Sequence, residues 1–405
     1  MLSCTVRGDI DEKLLAAAFA AKVAQHPPLR SRVRHEGKGY FLETVGETEL
    51  PRLTVRPNGP SAFTNELNAS LPIGGPLVRA VLLRGDIEHK VVLVLDHVIT
   101  DGHSAIALQH AMWRTYSALV DGTCDTKGNA AESWPPAVTD LLPPWSAKEA
   151  EHYLARRTEN VRRCPVSLLP YEAACTDIAG HRPRVEVQRV LFESGPTTRL
   201  VRLAKAADMS VHGLVSAAFL IAIRRQLGGE AGTRSLGCLS PVDLRSRLTP
   251  PLKREAMVPA VSSYLDVLHV AEDTDPLELG REVTANLKSA IDRGDIAREI
   301  RILPELVWNP GLMTASVIVT NMGAVDDPLV PNTLDITDVR LIPARDHYYP
   351  EAGRGPVMGC VVSFNNRLGI ELPYSSECFS HKQIRDLSSS VYTTLLGFLG
   401  EDRGR

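Results

Sequence analysis

Aromatic residues make up only 5% of the 405 positions, so a large core has to be built from Val, Leu, Ile and Ala. No uninterrupted apolar run reaches the length of about 18 residues that a spanning helix needs. Charge is nearly balanced, with a formal net charge of −3, so neither nucleic acid nor an anionic membrane is an expected partner. The first residues, Met1-Leu2-Ser3-Cys4-Thr5-Val6-Arg7, lack the charged start and apolar centre of a signal peptide. Seven cysteines are dispersed as Cys4, Cys124, Cys164, Cys175, Cys238, Cys360 and Cys378, and no two have zinc-site or redox-pair spacing. Reduced thiols, a cytoplasmic address and no metal site are the expectation. There is no Gly-x-Ser-x-Gly elbow to supply a nucleophile.

What is present centres on Lys90 to Gly102. Lys90-Val91-Val92-Leu93-Val94-Leu95 is a continuous apolar run after its first residue, the pattern of a strand buried on both faces. It ends in Asp96-His97-Val98-Ile99-Thr100-Asp101-Gly102, and helical periodicity resumes at His103. The pattern His-x-x-x-Asp-Gly places an imidazole, which titrates near neutrality, at the end of a rigid element. His97 is thus a candidate general base. Asp101, if buried, needs a cation. Gly102 suggests a backbone conformation or close contact that a side chain would forbid. The same letters also describe a strand-end histidine followed by an ordinary helix N-cap aspartate.

Along the chain, residues 2–7 read as a strand, and Asp9 is placed to cap a helix over Leu14–Gln25 that His26-Pro27-Pro28 stops. Strands are expected over 29–34, 37–44, 48–55 and 77–83, and a short helix over 60–70. The arginines of 29–34 fit a solvated face better than an acidic partner. Gly and Pro crowd the segment from Asp121 to about Pro183, which reads as a crossover containing one polar helix over 146–163. Trp134 and Trp145 suggest that this segment packs on the body. A second half follows: a strand at 185–192, helices at 197–207 and 211–225, the latter capped by Ser210, and strands at 235–242 and 261–270. Then come a helix at 276–293, a strand at 316–320, a hairpin around Asn366 and a closing helix at 382–399. The expected domains are 1–120, a crossover over 121–184, and 185–405. Arg245, just past a buried strand in Pro241-Val242-Asp243-Leu244-Arg245, is one candidate partner for Asp101.

These segments together resemble an acyltransferase superfamily. It contains chloramphenicol acetyltransferase, peptide-synthetase condensation domains, plant-type alcohol acyltransferases and polyketide-associated (Pap-type) acyltransferases. Asp96 to Gly102 resembles its His-His-x-x-x-Asp-Gly motif; Gln25 to Arg32 resembles its early His-Pro, Leu-Arg element; and Ser210 to Arg225 resembles its central helix. Ser240 to Tyr264 resembles the Pap-type branch most closely, and Thr320-Asn321-Met322-Gly323 resembles its Asn-x-Gly strand end. The first motif histidine is replaced by Asp96, the plant-type Asp-Phe-Gly-Trp-Gly element is absent, and the chain begins later than in relatives. By strand alternation Asp96 should face away from His97 and matter least to proton transfer.

The resemblance implies an α/β fold of mixed sheets, in two chloramphenicol-acetyltransferase-like halves forming a V around a central tunnel. It implies an O-acyltransferase in natural-product or lipid biosynthesis, with His97 as general base and Asp101 structurally paired with Arg245. The donor would be an acyl-CoA or an acyl group on a phosphopantetheine arm, with no tightly bound cofactor. The acceptor would be a small molecule or lipid carrying a hydroxyl, and an acyl carrier protein or a polyketide or peptide synthetase is an expected partner of a monomeric enzyme. Ser262, Ser263 and Asn321 are expected along the substrate channel. The alternatives are an amide-forming condensation enzyme and a non-catalytic carrier- or ligand-binding homologue. His103 and His347 attract weaker interest, as a helix-start residue and a loop residue.

Overall fold

The computed structural model describes residues 1–37, 39–123, 131–172, 184–228, 232–344 and 357–400. In chain order the elements begin β1 (Leu2–Arg7), α1 (Glu12–Gln25), β2 (Ser31–Glu36), β3 (Gly39–Thr44), β4 (Leu53–Pro57), α2 (Ala62–Asn68), β5 (Val78–Arg84), β6 (Glu88–Leu95) and α3 (Gly102–Val120). They continue with α4 (Ala147–Arg163), β7 (Val185–Phe192), α5 (Ser194–Ala206), α6 (Val211–Leu227), β8 (Arg234–Asp243), β9 (Val261–Val270), α7 (Pro276–Asp292), α8 (Asp295–Arg301) and α9 (Leu303–Trp308). The last are β10 (Val317–Ala324), β11 (Asp335–Leu341), β12 (Val357–Phe364), β13 (Arg367–Ser375) and α10 (His381–Gly397). The expected mixed α/β class is what the chain adopts.

Two compact units divide the chain, and they interleave in sequence. The first comprises 1–141, 245–260 and 324–342; the second comprises 142–244, 261–323 and 343–405. The linear order 1–120, 121–184 and 185–405 does not describe this arrangement, because two late segments return to the first unit. The reason for one return is hydrogen bonding: β11 pairs antiparallel with β1, Leu2 opposite Leu341 and Cys4 opposite Val339. The sheet of the first unit runs β11-β1-β6-β5-β4, with β2 and β3 forming a separate hairpin. Strand β6 is central, paired antiparallel to β1 on one side and to β5 on the other. That explains its continuous apolar run: Val91, Val92 and Leu93 are fully buried.

Local chemistry fixes the element ends. Asp11, rather than Asp9, caps α1, its Oδ1 accepting from the N–H groups of Lys13 and Leu14. Asp9 is solvent-exposed beside Arg84. On β2, Arg32 and Arg34 meet Glu43 of β3, so the basic face has its carboxylates one strand away. Trp145 packs edge-on against Tyr153 of α4, whereas Trp134 remains 42% exposed.

In the second unit a six-stranded sheet runs β7-β13-β12-β10-β8-β9, with β8 and β10 parallel and β8 and β9 antiparallel. Helix α6 is its core helix, with Leu214 to Ile223 buried against residues of β7, β8, β9, β10, β12 and β13. Ser210 caps it through the Gly213 N–H. A Cβ on Gly213 would lie 2.5 Å from the Gly280 carbonyl oxygen of α7, so the two backbones touch there. Asn365 and Asn366, both at positive φ, make the tight turn joining β12 to β13. Among the described residues, no single helix is long and apolar enough to cross a membrane.

Three elements went unread in the sequence. Helices α8 and α9 are only 7 and 6 residues long, too short to show helical periodicity. Strand β11 lies in a stretch rich in Asp and Pro with weak apolar alternation.

Candidate active site

The site is built on the C-terminal end of β6. Beyond Leu95 the chain leaves the sheet but stays tied to it, since the Asp96 N–H donates to the Leu77 carbonyl at 2.9 Å. His97 and Val98 then stand exposed at the tip of a turn. Ile99 returns to the interior at 1% exposure, and Thr100 and Asp101 follow it, each 6% exposed. The imidazole of His97 is therefore presented to solvent on a short span whose two ends are anchored. Among the described residues, no side chain or backbone group hydrogen-bonds to its ring.

Asp101 is both things its sequence context allowed. It caps α3, Oδ1 accepting from the Ser104 N–H at 3.0 Å while the Asp101 N–H donates to Ser104 Oγ at 3.0 Å. It also meets Arg245: Nη1 donates to Oδ2 at 2.6 Å, with both side chains buried. The Ala260 N–H donates to the same Oδ2 at 2.8 Å. Arg245 Nη2 in turn donates to the carbonyls of Val258 at 2.9 Å and Ala256 at 3.3 Å. One carboxylate thus joins the loop after β6, the start of α3 and the segment 245–260, all within the first unit. Both its oxygens are committed to donors, which suits a scaffold rather than a proton relay. Thr100 Oγ1 lies 2.8 Å from Ser104 Oγ and extends the network.

For Gly102 one of the two expected reasons falls away. It opens α3 and is not among the glycines with positive φ, so a left-handed backbone is not the reason for a glycine there. His103 is half-buried in the first turn of α3. His347 lies outside the described residues.

The other expected channel residues belong to the second unit. Ser262 is buried on β9 and its hydroxyl donates to the Ile296 carbonyl of α8 at 2.7 Å, so that hydroxyl is already engaged in holding α8. Ser263, half-buried on the opposite face of β9, sits across from Pro241 of β8. Asn321 Oδ1 accepts from the Gly323 N–H at 2.8 Å, and Gly323 has a φ of +74°. Asn-x-Gly is therefore a local backbone irregularity inside the last residues of β10.

Some polar residues were overlooked. Ser104 was legible, because Asp-x-x-Ser is a capping spacing. In the second unit, His212 at the start of α6 has Nε2 2.8 Å from Ser240 Oγ, and burial pushes its pKa down to about 4. Asp266 of β9 is 6% exposed, and burial raises its pKa to about 6 although Asn286 donates to both its oxygens. No sequence signal marks this pair, since residues 266 and 286 meet only through the packing of α7 on β9.

Comparison with known proteins shows what the chain is similar to. Residues 181–373 match the family model described as the C-terminus of phthiocerol/phthiodiolone dimycocerosyl transferase. The phthiocerol/phthiodiolone dimycocerosyl transferase of Mycobacterium bovis is 22% identical over 357 residues, covering 84% of this chain and 81% of that protein. Among solved structures, polyketide synthase associated protein 5 from Mycobacterium tuberculosis has a TM-score of 0.72 at 19% identity, covering 98% of this chain and 94% of that one. Trichothecene 15-O-acetyltransferase from Fusarium sporotrichioides has a TM-score of 0.75 at 12% identity, covering 98% and 90%. The first condensation domain of the CDA synthetase has a TM-score of 0.69 at 16% identity, covering 100% and 91%. The chain has the fold that condensation domains share with these acyltransferases, and its sequence is similar to the phthiocerol/phthiodiolone dimycocerosyl transferases.

Proposed function

We propose that the protein is an O-acyltransferase that moves an acyl group from a thioester, on coenzyme A or on a carrier protein's phosphopantetheine arm, to a hydroxyl of a small-molecule or lipid acceptor. The observation that carries this reading is the presentation of His97: an exposed imidazole at the end of a central strand, on a turn anchored at both sides. The relatives named as transferases support the same class.

The chemistry follows from those parts. His97 takes the proton of the acceptor hydroxyl as its oxygen attacks the thioester carbonyl carbon. The tetrahedral adduct collapses, the C–S bond breaks, and the thiolate leaves with the proton that His97 returns. A thiolate is a good leaving group, so no strong acid is needed. Attack by the acceptor is direct and requires no acyl-enzyme. General-base help of this kind contributes about 10²–10⁴-fold. Asp101 and Arg245 act by holding the loop and α3 rather than by moving protons.

The test is thiol release and product mass from acyl-CoA and alcohol panels, with His97→Ala beside the unmodified protein. Loss of transfer with an unchanged melting temperature supports the reading, whereas full activity in His97→Ala overturns it.

A further inference from the structure

Asp96 occupies the place where the resembling family carries a histidine, and strand alternation led to the expectation that it matters least to proton transfer. Strand β6 ends at Leu95, so alternation no longer governs the next residue. Asp96 makes three hydrogen bonds around His97. Its N–H donates to the Leu77 carbonyl at 2.9 Å, and its own carbonyl accepts from the Ile99 N–H at 3.2 Å. Its Oδ1 accepts from the Val98 N–H at 2.9 Å. This last bond is an Asx turn, in which a short side-chain carboxylate takes the place of a backbone acceptor two residues back. His97 is the residue enclosed by that turn.

We propose that Asp96 is a positioning residue for His97, its carboxylate oxygen fixing the backbone that carries the imidazole. The proposal rests on the reading of His97 as the base. Val98 is 45% exposed, so without the Asp96 carboxylate its N–H turns to water and the turn around His97 is left to the single 3.2 Å bond from the Ile99 N–H to the Asp96 carbonyl. A side chain that carries its acceptor oxygen on Cγ is the right length to close such a turn. Alanine has none, glutamate reaches too far, and asparagine keeps the oxygen while losing the charge.

The experiment uses the full chain with decanoyl-CoA as donor, octanol or water as acceptor, and thiol release as readout. Misplacement of a catalytic group by about 1 Å can cost as much as about 100-fold. Asp96→Ala should lower kcat by about 10- to 100-fold with the KM for decanoyl-CoA little changed. Asp96→Asn should restore kcat to near the starting value. The Val98 amide should exchange its hydrogen about tenfold faster in Asp96→Ala than in the unmodified protein, a reading independent of turnover. In Asp96→Asn it should stay protected. A purely structural role would lower stability without this kcat loss and rescue. The proposal is overturned if Asp96→Ala keeps full kcat, if Asp96→Asn is as impaired as Asp96→Ala, or if Val98 exchange does not respond. Should Asp96→Ala fail to fold, Asp96→Glu and Asp96→Asn carry the same decision: kcat and Val98 protection fall in Asp96→Glu and hold in Asp96→Asn if the proposal is right, and equal behaviour of the two overturns it. A dead His97→Ala beside a fully active Asp96→Ala removes Asp96 alone, whereas a fully active His97→Ala removes the base reading first.

Discussion

Arg245 donates to Asp101 across 144 residues of sequence, at 2.6 Å and with both side chains buried. The pair organises the loop that presents His97, because the same carboxylate also caps α3 and accepts from Ala260. Removing the cation leaves a buried carboxylate without its charge partner, a loss of about 3–5 kcal/mol. Arg245→Ala should therefore show a markedly lower urea midpoint as well as lost activity. Arg245→Lys should recover part of the stability, since lysine keeps the charge but cannot reach Asp101, Ala256 and Val258 together from a planar fork. An Arg245→Ala protein with an unchanged midpoint would break the link between this pair and the fold.

Ser104 makes a smaller, separable contribution. Its Oγ accepts from the Asp101 N–H, and its own N–H donates back to the Asp101 carboxylate. Ser104→Ala keeps the second bond and orphans a buried N–H, at a cost of about 1–3 kcal/mol. Thermal unfolding should show that loss, while the KM for an acyl-CoA should change less than kcat.

Asp266 supplies a pH dependence whose sign is set by burial. Its folded pKa is raised from 3.8 to about 6, so between those values the folded protein holds a proton that the unfolded chain has released. Stability from this group is complete below about pH 4 and is lost as pH rises through 6, by about 3 kcal/mol. Asp266→Asn removes the titration. Its advantage in unfolding free energy over the unmodified protein should be larger at pH 8 than at pH 4; an equal difference at both would contradict the assignment.

The β12–β13 turn gives a control remote from the site. Asn366 has a φ of 55°, a conformation that β-branched residues resist. Asn366→Val should cost about 1–2 kcal/mol and Asn366→Gly should be neutral or stabilising, both with unchanged kcat. Equal melting temperatures for the two variants would argue against this turn.

Much of the fold was legible because its signals are local. The apolar run of β6, the Ser210 cap of α6, the hairpin asparagines and the polar helix α4 all declare themselves within a few residues. The Asp101–Arg245 pair was reached by asking what a buried carboxylate near a strand end requires, helped by resemblance. The Asp96–Val98 bond was not legible from strand alternation, because Asp96 lies one residue past the end of β6. The partnership of Ala260 with Asp101 left no trace, since a backbone N–H carries no letter of its own. Strand β11 was missed because its membership in the first sheet is set by pairing with β1, and its Asp- and Pro-rich surroundings hide it.

The pairing of β1 with β11 bears on how the chain is synthesised. A ribosome that has released residues 1–120 has delivered the strand that carries His97, but neither Arg245 nor the strand that covers the edge of β1. Until residue 341 emerges, β1 presents unpaired backbone groups, the kind of edge that recruits other chains. The first unit is begun first and finished late. A fragment ending near residue 184 should aggregate, so the two units cannot be separated by a single cut.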